Sequence, residues 1–166
     1  KLKKKKIDFF INFATLYKND HTHFEISKFI RSNIYFPTII TDSIFLKVKK
    51  IINFGTMMQH TDGKTYSPKN FYASTKSAFE MILNYYYLKN KKLNLYNLKF
   101  YESFHEKDFR KKLIPTLIKN YKQNKATTIN SKKLQLNIIH VNDIINAIMI
   151  ILKNKVKPGD YCLKQK

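Results

Sequence analysis

"KIINFGT" at residues 50 to 56, "DGKTYSPKN" at 62 to 70 and "FYASTKSAFEMILNYYYLK" at 71 to 89 follow one another closely, and their succession decides the fold. The first is a short apolar run that ends in small residues, the pattern of a strand buried on both faces. The second gathers Asp, Gly, Ser and Pro, which interrupt regular structure. Pro68 stands shortly before the third stretch, which reads as a helix from Phe71 to Lys89.

The same alternation continues outward in both directions. "KIDFFINFA" (6 to 14) repeats the buried-strand pattern. From Asp20 to Lys47 apolar residues return at helical spacing (Phe24, Ile26, Phe29, Ile30 and Ile34, then Ile39, Ile40, Ile44 and Phe45), with Pro37 as a kink or boundary. "LNLYNLKF" (93 to 100) is a third strand, and "KDFRKKLIPTLIKNYKQ" (107 to 123) a helix interrupted at Pro115. "LQLNIIHV" (134 to 141) reads as a strand and "NDIINAIMIILKN" (142 to 154) as a helix capped by Asn142 or Asp143. Strands separated by helices predict an α/β protein with a mostly parallel sheet in one domain, whose chemistry gathers at the carboxyl ends of the strands.

The composition narrows the functions open to this chain. Its 166 residues are 43% hydrophobic and 14% aromatic, enough for one real core. A net charge of +21 invites a nucleic-acid partner. Only Arg31 and Arg110 are arginines, however, so the bidentate fork for phosphates and bases is nearly missing, and the lysines spread along the whole length as a skewed genome would place them. Cys162 is the single cysteine, which rules out an internal disulfide and suggests a reducing cytoplasm. The best apolar run, "IINAIMIIL" (144 to 152), is half of the about 18 residues that span a bilayer, so no membrane segment is expected. The five histidines share no metal-ligand spacing, and no metal site is expected. The chain begins without Met, so its true N-terminus is expected upstream.

Tyr72 and Lys76 form a Tyr-x-x-x-Lys pair on the helix from Phe71. A free tyrosine has a pKa of about 10, too high for a base at neutral pH, and a lysine one turn further on the same face would stabilise its phenolate. Spacing alone does not single this pair out. At this lysine density roughly two chance matches arise, and the chain holds four, the others being Tyr85/Lys89, Tyr87/Lys91 and Tyr121/Lys125.

Context separates them. "KIDFFINFATLY", "SNIYFPT", "NFGTMMQH", "SPKNFYASTK", "LKFYESFHEKDFRKKLIP" and "IIHVNDIINAI", taken in order and spacing, resemble six segments of the NAD-dependent epimerase/dehydratase family, the extended short-chain dehydrogenase/reductases that act on nucleotide sugars. The pattern is nearest the reductases that make CDP-linked dideoxyhexoses. The resemblance implies an incomplete Rossmann-like, doubly wound parallel sheet with flanking helices. It implies Thr56, Tyr72 and Lys76 as catalytic residues, and NAD or NADP held by Phe13, Ala14, Thr15, Leu16, Asn33, Tyr72, Lys76 and Tyr101. Thr56 and Glu102 would meet a nucleotide-sugar substrate, and a homodimer would form through the helical segments 20 to 47 and 71 to 89.

Four departures accompany the likeness. The family's Gly-rich pyrophosphate turn has no counterpart, since the only glycines are Gly55, Gly63 and Gly159. The chain therefore reads as the central and C-terminal part of a cofactor domain, from a longer enzyme or from a truncated, inactive paralogue that serves as a basic binding module. Asn12 replaces the family's His, and His105-Glu106 replaces its Gly-Pro. Met57 and Met58 stand where dehydratase members carry an Asp-Glu pair, which leaves 4-ketoreductase or 4-epimerase chemistry.

Overall fold

A computed structural model describes residues 7–108, 112–129 and 136–164 of the chain. They gather in two compact units, one holding the residues up to Lys99 with Val156–Cys162, the other Phe100–Lys155 and the residues from Leu163.

The first unit is a four-stranded, fully parallel sheet. Its strands are β1 (Phe9–Asn12), β2 (Lys50–Phe54), β3 (Asn94–Lys99) and β6 (Gly159–Cys162), paired in the order β1-β2-β3-β6. Between β1 and β2 the chain forms α1 (Ile26–Ile30), a π-helical turn (Arg31–Tyr35) and α2 (Phe36–Ile44), and α3 (Phe71–Lys89) joins β2 to β3. Ile44, Val48, Ile51, Phe79, Leu83 and Leu93 form the buried cluster that fixes α2 and α3 to β2. Each such side chain contributes about 1.5–3 kcal/mol when it leaves water.

Polar side chains set the strand register. Asn12 Nδ2 donates to Asn53 Oδ1 (3.1 Å), Asn53 Nδ2 to Asn97 Oδ1 (3.1 Å) and Asn97 Nδ2 to Asp160 Oδ1 (2.9 Å), each pair being Cα partners in the ladder. Asp160 Oδ2 then accepts from Lys99 Nζ (3.1 Å), which also lies 3.0 Å from Glu80 Oε2 on α3 and 3.0 Å from His60 Nε2. His60 Nδ1 is 2.9 Å from the Thr65 carbonyl oxygen, to which it donates, leaving Nε2 to accept from Lys99. Gly55 passes so close to this clamp that a Cβ there would lie 2.5 Å from Glu80 Oε1 and 2.6 Å from Gln59 Oε1.

The second unit contains a two-stranded parallel sheet of β4 (Glu102–Phe104) and β5 (Ile138–His140), with α4 (Leu113–Lys122) and α5 (Val141–Leu152). No helix among the described residues is long and apolar enough to cross a membrane.

The parallel α/β reading holds, with four local corrections. β1 is an edge strand of this sheet, and Phe9 is 46% exposed, so the strand is not buried on both faces. Pro37 marks a boundary, as read: the π turn ends at Tyr35, α2 starts at Phe36, and Pro37 falls in its first turn, where its missing donor costs little. Pro115 likewise lies in the first turn of α4, which starts at Leu113 and is not interrupted. The cap of α5 is His140, whose Nδ1 accepts from the Asn142 N–H (3.1 Å). β5 pairs with β4 rather than with the main sheet, whose fourth strand is instead β6. "GDYC" escapes a propensity reading because Gly and Asp are poor strand formers. The readings on residues 109–111 and 130–135 lie outside the described residues.

Replacing Lys99 by Met keeps the stem volume and strips Glu80, 3% exposed, of its cation. We expect a loss of about 3–5 kcal/mol of stability in chemical denaturation, since the carboxylate stays buried without its ion-pair partner, keeping only the Tyr66 hydroxyl as a hydrogen-bond donor.

Candidate active site

Asn70 opens α3 by accepting the Ala73 N–H (2.9 Å) on its side chain. This fixes the helix phase in its first two turns. Tyr72 is half-buried and Lys76, one turn on, is 3% exposed. The Thr75 hydroxyl donates to the Tyr72 carbonyl (2.7 Å).

Asn33, on the π turn and 1% exposed, joins this helix start to the loop after β1. Its Oδ1 accepts the Leu16 N–H (2.6 Å), and its two amide hydrogens go to the Leu16 carbonyl (3.0 Å) and Thr75 Oγ1 (2.9 Å). A π turn shifts the phase of the residues it carries, and here it aims Asn33 inward. The loop so held presents Phe13, 61% exposed and stacked on Phe54 at 4.8 Å, together with half-buried Ala14 and exposed Thr15. Tyr17 meets Tyr72 edge-on at 4.9 Å.

Thr56 follows β2 and is buried. Its backbone N–H donates to Gln59 Oε1 (2.7 Å) and its hydroxyl oxygen accepts from the Met58 N–H (3.3 Å), so the hydroxyl hydrogen remains for another acceptor.

Burial dominates the titration of both central groups. It raises the Tyr72 phenol above its ordinary value, opposed by a hydrogen bond from the Thr15 side chain, while the neighbouring Tyr17 adds a smaller upward push. Burial lowers Lys76 to about 8, with the Glu80 charge acting in the opposite sense. Burial thus pushes each group toward its neutral form, although Lys76, at about 8, still carries its proton at pH 7.

Phe13, Ala14, Thr15, Leu16, Asn33, Thr56, Tyr72 and Lys76 thus all fall in the first unit, and hydrogen bonds or ring contacts link the loop residues Thr15, Leu16 and Tyr17 to Asn33 or Tyr72. Tyr101 and Glu102 belong to the second unit. Tyr101 is 48% exposed there, and Glu102 forms an ion pair with Lys112 (2.6 Å). The sequence reading missed the side-chain role of Thr15 beside Tyr72, for which a hydroxyl in an otherwise apolar loop start was the available signal. It also missed the convergence of His105, Glu106 and His140 in the second unit.

A parallel sheet with helices between its strands, and a Tyr-x-x-x-Lys turn opening the helix after β2, define a Rossmann-type α/β protein. The family is more particular. The chain belongs to the NAD dependent epimerase/dehydratase family, whose pattern matches residues 1–163. It is 28% identical over 149 residues to CDP-abequose synthase of Yersinia pseudotuberculosis, covering 89% of this chain and 52% of that protein. It is 26% identical over 156 residues to CDP-abequose synthase of Salmonella muenchen, covering 91% and 51%. The chain therefore spans about half the length of these relatives. Among solved structures its fold is similar to UDP-glucuronic acid 4-epimerase from Bacillus cereus in complex with NAD (TM-score 0.82, 18% identity, 96% of this chain and 55% of that one). It is also similar to the dTDP-glucose 4,6-dehydratase DesIV from Streptomyces venezuelae (TM-score 0.76, 16% identity, 96% and 53%).

The Lys76 side chain provides a direct readout of this site. In 13Cε-lysine NMR one resonance, absent from Lys76→Arg, is expected to titrate near pH 8, below the ordinary lysine value of about 10.4.

Proposed function

We propose that this chain carries the catalytic part of a nucleotide-sugar oxidoreductase that uses NAD or NADP and transfers a hydride at C4 of an NDP-hexose. The observation that supports it most is the clamped turn of Tyr72 and Lys76 beside the loop 13–17, in one unit with Thr56. A tyrosine whose phenol burial pushes up fits a cofactor whose oxidised ring is cationic, because that charge would stabilise the phenolate. Lys76, Tyr72, Tyr101 and the backbone from Phe13 to Leu16 would hold the cofactor, with Asn33 positioning that loop. A bound nicotinamide supplies or accepts the hydride at C4.

The chain's own residues handle the proton. In the reducing direction the Thr56 hydroxyl donates its hydrogen to the C4 carbonyl oxygen and orients it. Tyr72 delivers a proton to that oxygen as C4 gains the hydride, so ketone becomes alcohol; in the oxidising direction Tyr72 takes the proton back. Lys76 bears positive charge near the phenolate left behind. Glu102 would meet the sugar.

Met57 and Met58, in the 3-10 turn after Thr56, place no carboxylate there to assist loss of water. This favours 4-ketoreductase or 4-epimerase chemistry over dehydration, and the likeness to CDP-abequose synthases favours the reductase. A cytoplasmic location suits a single, unpaired cysteine. Tyr72→Phe in the full-length protein is expected to lower kcat by at least about a thousandfold, with cofactor affinity unchanged; turnover near wild type would remove Tyr72 from the mechanism.

The proposed homodimer has a surface to use. Tyr35, Phe36 and Ile39 on the π turn and α2, and Met81, Tyr85 and Leu88 on α3, are 48–62% exposed. The α3 trio follows i, i+4, i+7 spacing, one face of the helix. Ile39→Glu with Tyr85→Glu should convert a dimer to a monomer in sedimentation equilibrium, and an unchanged mass would place the interface elsewhere.

A further inference from the structure

His105, Glu106 and His140 are the only group of three or more metal-ligating side chains drawn together among the described residues, their ligand atoms all lying within 4.8 Å of one another. We propose that they bind a first-row divalent transition ion, with Zn2+ as the probe, and that the ion ties the loop after β4 to the start of α5.

The backbone brings the three together although His140 is 34 residues from Glu106. β4 and β5 run parallel with Phe104 opposite His140, so the strands end side by side and His105 and Glu106 turn across that end. The Phe104 ring packs edge-on against His140 at 5.1 Å, and the two imidazoles lie 5.5 Å apart. Glu106 stands between them, with Oε2 3.3 Å from His105 Nε2 and Oε1 3.2 Å from His140 Nε2. Ligands about 2.1 Å from a tetrahedral ion lie about 3.4 Å apart, so both nitrogen–oxygen spacings already suit one.

The donor set selects the class of ion. Two imidazoles with one carboxylate favour zinc and its neighbours over calcium or magnesium, which take oxygen ligands, and three protein ligands leave a position for water. The loop has His and Glu where the resembled pattern has Gly and Pro, so a metal clamp would supply the rigidity that those two residues give a turn.

Loading has a second, local consequence. In the metal-free arrangement His105 Nδ1 accepts the Lys107 N–H (3.1 Å) and His140 Nδ1 accepts the Asn142 N–H (3.1 Å), so each Nε2 carries its hydrogen toward Glu106. An ion at Nε2 sends that hydrogen to Nδ1, which can no longer accept. Two backbone hydrogen bonds are exchanged for three metal–ligand bonds, and the Lys107 and Asn142 amides lose their acceptors. An adventitious surface ion held elsewhere would leave those amides alone.

The test is calorimetric titration of the chelator-stripped chain with Zn2+ at pH 7.5, alongside 15N amide spectra. One equivalent should bind, the Lys107 and Asn142 amides should shift, and Glu106→Gln and His105→Gln should each weaken binding at least about tenfold. Glu106 is an exposed side chain, so Glu106→Gln tests the site without threatening the fold. The double variant His21→Gln/His23→Gln should bind as wild type. Absence of stoichiometric binding, binding that survives Glu106→Gln, loss of binding in the His21/His23 variant, or unmoved Lys107 and Asn142 amides would each overturn the proposal.

Discussion

The amide ladder from Asn12 through Asn53 and Asn97 to Asp160 is the constraint from which the first unit's geometry follows. A side-chain amide buried in a sheet must find partners, and leaving one unmade costs roughly 1–3 kcal/mol. Here each is satisfied only by the residue directly opposite on the next strand. A slip of one residue on β2 or β3 would turn its amide to the other face and orphan two neighbours at once, and a slip on β1 or β6 would orphan one. Apolar residues could not enforce this, because Ile51 and Ile52 are both fully buried and a slip would exchange one isoleucine for another. Register thus rests on polar pairing, and register decides where the strand ends that carry Thr56 and the loop 13–17 arrive.

The ladder does not stop at the sheet. Asp160 passes it to Lys99, and Lys99 to Glu80, one turn beyond Lys76 on α3. The helix is thereby pinned at a buried charge pair from below and by the Asn33 bridge at its start. Gly55 is required at the crossing, since any side chain would enter the space of the Glu80 and Gln59 carboxyl and amide oxygens. One pin falls at Thr75 within the Tyr72–Lys76 turn and the other one turn beyond it at Glu80, a support suited to groups that must be held within a fraction of an ångström.

The sequence made legible what depends on local pattern. β2, α3 and β3 were readable from apolar periodicity, whereas Thr56, Tyr72, Lys76 and Asn33 were singled out by the family resemblance of the six segments. What escaped it depends on partners distant in the chain. β6 is held by Asp160 meeting Asn97, a pair that composition does not mark. His140 caps α5 with a ring nitrogen, a role usually given to Ser, Thr, Asp or Asn, so Asn142 and Asp143 drew the prediction instead. The histidines looked unrelated because His105 and His140 meet only through parallel pairing of two three-residue strands. The π turn escaped for a different reason: Pro37 marks the boundary after it, but nothing in "SNIYFPT" announces which kind of turn precedes that boundary.

The opposite shifts of Tyr72 and Lys76 have one cause and a joint effect. Burial raises the phenol and lowers the amine, so the neutral pair is favoured over the phenolate–ammonium pair more than it is in water. Removing either charge alone leaves the other buried and costly, whereas forming both together lets each offset the other one helical turn away. Positive charge brought beside Tyr72 tips it toward the phenolate. On this reasoning the +21 net charge of the chain is irrelevant to the chemistry, since surface lysines are screened within about 10 Å at 0.1 M salt. The effective charge is the one beneath the surface, and its effect depends on how little water reaches it.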